Sequence, residues 1–213
     1  EHRVGPRVDV EPQVAARASG NVAGANTFAI ALAELREQQS ALGKDAVAFT
    51  ALQGEETSWW GILNLTPGPW HVIIHFESKG LGREIALATD FTVSGSYRPE
   101  PLPPAADQVQ VKGLTVTRSG ELSTGATSGS AITVTDKGQP VTDLEPAHGE
   151  MGHSVLIRPA DLGYLHMHPD STGTGPRLDF LGAAPDQGSY RQFVEFYRGD
   201  KLYLAPFTVQ VTQ

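Results

Sequence analysis

The chain has 213 residues, 39% of them apolar, with 23 glycines, 15 prolines and no cysteine. Its formal charge of −8, without any Lys/Arg cluster, excludes recognition of nucleic acid through its phosphates. The missing cysteine excludes disulfide frameworks, thiolate metal sites and cysteine nucleophiles.

No apolar run reaches the ~18 residues of a helical membrane span. The chain starts at Glu1 without Met, which leaves room for a removed N-terminal leader. Residues 1–22 read as a polar, extended lead-in. "NTFAIALAEL" from Asn26 alternates like a first strand, with a short helix over 33–39 as the alternative. "DAVAFTALQ", "TSWWGILNL", "WHVIIHFES" and "IALATDFTVSG" are strand-length runs divided by Gly, Pro or charged turns. A proline-rich polar stretch follows and predicts a stiff linker over 98–108.

The same grammar then resumes with "VQVKGLTVTRSG", "GSAITVTDKGQP", "MGHSVLIRP", "GYLHMHP", "RLDFLGA", "YRQFVEFYRGD" and "LYLAPFTVQVT". Lys137-Gly138 and Gly199-Asp200 are hairpin turn signals. Gly68, Trp70 and Phe76 precede Phe91-Thr92-Val93. Gly188, Tyr190 and Phe196 precede Phe207-Thr208-Val209 at the same Gly-to-aromatic spacings. The fold expected is therefore all-β, two tandem immunoglobulin/fibronectin-like antiparallel sandwiches. The first spans 1–97 and the second 109–213.

The stretch 152–169, "GHSVLIRPADLGYLHMHP", holds three of the seven histidines. On a strand, residues i and i+2 share a face, so His166 and His168 project together while Leu165 and Met167 face the core. Met151 and His153 repeat that spacing on the preceding run. A hairpin folding about Ala160-Asp161 sets His153 opposite a position near His168, where Cβ atoms lie roughly 4.5–5.5 Å apart. Three imidazoles with an optional thioether suit copper first and zinc second. The predicted metal set is His153, His166, His168, Met151 and His148. Glu150, Asp161, Asp170 and Asp179 lie near it, but none has a spacing that commits it to general acid–base work, so no catalytic residue is assigned. His71 and His75 share a strand face and read as half-exposed residues, with metal binding the lesser alternative. His2 would chelate only if Glu1 were the mature terminus.

The segments "LEPAHGEMGHSVLIRPADLGYLHMHP" and "GSYRQFVEFYRGDKLYLAPFTVQV" resemble bacterial extracytoplasmic proteins associated with copper and heavy-metal handling. Their shared pattern is a Met-Gly-His, a strand, then Tyr-x-His-x-His-Pro. It maps onto Met151, His153, His166 and His168; His148 departs from it. "TPGPWHVIIHF" with a closing "FTV" is similar to the small sandwiches of YtkA-like and copper-carrier modules. The resemblance implies a secreted, periplasmic or cell-surface metal-binding protein that sequesters, delivers or senses copper. Its partners would be the ion and another envelope metal-handling protein. Rival expectations are a metal-free surface interaction module and a zinc or copper enzyme.

Overall fold

The computed structural model describes residues 13–19, 28–33, 40–41, 47–51, 53–55, 58–65, 67–78, 83–97, 100–146 and 150–213. Every regular element among them is a β-strand. Short runs rich in β-branched and aromatic residues between Gly and Pro turns fit a pleated, half-buried surface better than a helix. Ala33 ends a strand, and the rest of the alternative helix lies outside the described residues. Two compact units form, Glu1–Glu34 with Asp45–Arg98, and Leu35–Lys44 with Pro99–Gln213.

The earlier strands are β1 (Gln13–Ser19), β2 (Phe28–Ala33), β3 (Ser40–Ala41), β4 (Val47–Ala51), β5 (Gln53–Glu55), β6 (Ser58–Asn64), β7 (Gly68–Ser78) and β8 (Arg83–Val93). In the first unit they make a three-stranded sheet, β1-β6-β5, and a four-stranded one, β4-β2-β7-β8. Among the described residues, strand β7 buries Trp70, Val72 and Ile73, and Leu65 and Val93 are buried with them in this unit.

The second unit adds β9 (Glu100–Pro101), β10 (Gln108–Val111), β11 (Leu114–Ser119), β12 (Leu122–Ser123), β13 (Ser128–Asp136), β14 (Gln139–Pro140), β15 (His153–Arg158), β16 (Gly163–Pro169), β17 (Arg177–Gly182), β18 (Gly188–Arg198) and β19 (Lys201–Thr212). The proline-rich stretch is drawn into this unit. Glu100–Pro101 pairs with β3, and the Thr208 hydroxyl donates to the Pro103 carbonyl at 2.8 Å.

Ten strands form one sheet in the order β10-β11-β13-β17-β16-β15-β18-β19-β12, with β14 on β13. Strand β16 makes the corner. Its residues through Met167 pair with β15, whereas His168 and Pro169 pair with β17. A strand that changes partner at a bend lets one sheet fold over on itself. Both arms then bury one cluster, with Val116, Ile132 and Phe180 on one arm and Leu156, Val194, Phe196 and Phe207 on the other.

Two sequence signals have direct backbone counterparts. Lys137-Gly138 and Gly199-Asp200 take positive φ at both residues, 49° and 82°, then 54° and 59°. That is the backbone of a tight hairpin turn, whose twist matches the flanking strands. Gly68 and Gly188 each open an eleven-residue strand at φ 136°, and two residues on Trp70 and Tyr190 are both buried. Both hairpins set the third residue of the first strand opposite the ninth of the return strand. Phe91 lies opposite Trp70, but Val209 lies opposite Tyr190, because Phe207 stands two positions earlier in its strand than Phe91 does.

Candidate metal centre

The β15–β16 hairpin turns through 159–162. Asp161 organises that turn. Arg158 donates to its carboxylate at 2.8 and 2.6 Å, and the Gly163 N–H donates at 3.1 Å. These bonds hold the Asp161 carboxyl below the usual carboxylate range. Leu162 completes the reversal at φ 58°.

The register runs from Arg158↔Gly163 to Ser154↔Met167, so His153 comes level with His168. Alternation divides the side chains between two faces. Leu156, Leu165 and Met167 join the interior cluster. His153, Val155, Ile157, Tyr164, His166 and His168 occupy the opposite face. Strand β18 contributes Arg191, Phe193 and Glu195 there, through the pairs Ile157↔Arg191, Val155↔Phe193 and His153↔Glu195.

The sequence suggests an outward-looking set of histidines, but this face is itself covered. His153 is 2% exposed, His166 8% and Glu195 1%; only His168 reaches solvent. The His153 and His166 ring centres are 4.8 Å apart, and those of His166 and His168 4.9 Å. Two imidazoles on one tetrahedral ion, with metal–nitrogen bonds of ~2.0–2.1 Å, hold their ring centres roughly 5 Å apart, so the spacing fits a shared ion. Among the described residues, no group of three or more His, Asp or Glu side chains has the geometry to hold a metal ion.

His153 Nδ1 lies 3.3 Å from Glu195 Oε2. A carboxylate accepts, so this hydrogen bond uses a proton on Nδ1. Residues 109–213 match the family model of a domain of unknown function, DUF8832. The match spans the whole ten-stranded sheet apart from the first residue of β10. No curated protein matches the chain.

Further along this face Arg191 is buried, donates to the Thr208 hydroxyl at 2.8 Å and lies 5.7 Å from the Phe193 ring centre. Burial pushes its guanidinium down to about 10. The second face of the sheet therefore carries a buried polar stripe of His153, His166, Glu195 and Arg191.

The remaining sequence candidates fall elsewhere. Strand β15 begins at His153, after Gly152 at φ 84°, so Met151 and His153 do not share a strand face. The Met151 side chain packs against the interior cluster. His148 and His2 lie outside the described residues. His71 pairs with Asp90 across β7 and β8, and the His75 side chain lies outside the described set. Asp161 and Asp179 are engaged by Arg158 and Arg177. Glu195 is the partner that sequence reasoning misses. Its only signal there is the i, i+4 spacing from Arg191 in "RQFVE", where both strand phases carry polar residues.

Proposed function

We propose that the second unit binds a metal ion, copper first and zinc second, at His153, His166 and His168. One observation carries this reading: three imidazoles share one face of a hairpin, with neighbouring ring centres near 5 Å apart. Glu195 supports it as a carboxylate that fixes the His153 tautomer, the role such groups take behind metal-bound histidines. His168, at the exposed rim, would be the third ligand of the set. A site with two buried ligands and one exposed suits an ion that is taken up and passed on.

We place the protein, on the resemblance of its Met-Gly-His and His-x-His-Pro segments, among bacterial extracytoplasmic proteins of copper and heavy-metal handling. Its architecture is then two tandem immunoglobulin-like sandwiches, supported by the folded-over sheet and by the matched Gly68 and Gly188 hairpins.

The test titrates metal-free protein with Cu(I), Cu(II) and Zn(II) beside His168→Ala and a His166→Ala/His168→Ala double variant. One-to-one binding is expected, weakened in the single variant and abolished in the double. Glu195→Gln should weaken it about 10–100-fold. Equal weak binding by wild type and a folded double variant overturns the reading.

A further inference from the structure

A polar cleft opens at the other end of the interior, between the two arms of the folded sheet. It has a volume of about 580 Å³ and is lined by Asp107, Arg118, Glu121, Leu122, Gln210 and Thr212, among others. Small-molecule sites fall in this size range and often sit at the mouth of a curled sheet.

Arg118 is the unusual member. It lies in phase with Leu114 and Val116, both part of the interior cluster, so its stem runs inward from β11. A core-facing cation costs several kcal/mol of lost hydration unless something compensates it. Among the described residues, its one side-chain hydrogen bond goes from Nε to the neutral Gln192 Oε1 at 2.9 Å. No carboxylate there forms an ion pair with it. Burial lowers its pKa, and the charge of Asp107 only partly opposes that shift.

The guanidinium is also held in place. Gln192 is fully buried, accepts from Ser130 at 3.1 Å and donates to Ser154 at 3.0 Å. With Nε engaged, the two terminal nitrogens remain as a fork of the kind that grips a carboxylate. At the rim stand two exposed carboxylates, Asp107 and Glu121. They would repel a simple anion and attract an ammonium group.

We infer that this cleft binds a small zwitterion, an amino acid or short peptide, with its carboxylate on Arg118 and its ammonium toward Asp107 and Glu121. This inference stands apart from the metal reading and shares no residue with it.

The test is calorimetric titration of the full chain, in chelator, with L-alanine, glycylglycine, acetate and ethylamine. Saturable binding of alanine or glycylglycine is expected, with acetate and ethylamine far weaker; which zwitterion binds better tells amino acid from peptide. Arg118→Lys keeps the charge but loses the fork, and should weaken binding about tenfold to a hundredfold. Asp107→Asn, at an exposed position, should narrow the preference for the zwitterion over acetate, and it decides the matter if the Arg118 variant does not fold. No saturable binding by wild type, or binding unmoved by both substitutions, overturns the inference.

Discussion

Gln192 is a polar residue enclosed in an apolar interior, and its amide is fully used. Its oxygen accepts from Arg118 and Ser130, and its nitrogen donates to Ser154 and faces the Met167 sulfur at 3.7 Å. Replacing it by Leu keeps the volume and leaves two hydroxyls and a guanidinium nitrogen without that partner. Gln192→Leu should therefore lower stability by about 2–4 kcal/mol, read as a shift in the urea midpoint. An unchanged midpoint would mean that the network adds nothing to the fold. At this scale the sequence is partly legible. Arg118 stands on the apolar phase of "LTVTR", and that phase alone flags a buried cation. Gln192 and Glu195 give no such flag, because β18 is polar and apolar on both phases.

Among the elements, the β15–β16 hairpin is the most readable. Proline and glycine bracket its turn, and the i, i+2 histidines fix which residues share a face, so the centre at Ala160-Asp161 follows. What alternation cannot reveal is what lies over each face. The run His153–Ile157 is buried at every position, whereas a two-faced strand would be half-exposed. Asp161 gives this element a pH signature. Its carboxyl is held low by Arg158, so its contribution is full above the ordinary carboxylate range and fades as acid protonates it. Thermal melts of wild type and Asp161→Ala should differ by about 0.5–1 kcal/mol at neutral pH, since the pair is solvent-screened. That gap should close as the pH falls through the depressed pKa. A gap that persists in strong acid would assign the turn's stability to backbone geometry instead.

At the scale of the molecule, the strand spacing and turn residues are enough to indicate an all-β chain. They cannot show that the second unit is one continuous sheet, since that depends on β16 changing partners at His168. Every member of its interior cluster lies between Val109 and Val211. A fragment of residues 99–213 should therefore fold alone, with a single cooperative thermal transition and a β-type circular dichroism spectrum. A broad, non-cooperative melt would show that the core needs residues outside that span.

The placement of the two methionines has a chemical consequence for durability. Met167 is wholly enclosed, with its sulfur against Gln192, whereas Met151 is only partly covered at the edge of the same cluster. With no cysteine in the chain, these two thioethers are its entire complement of sulfur. Peroxide would meet Met151 first and spend itself at the margin of the interior. The sulfur beneath the histidine hairpin, where an added oxygen would wedge the layers apart, would be attacked only after the protein had opened.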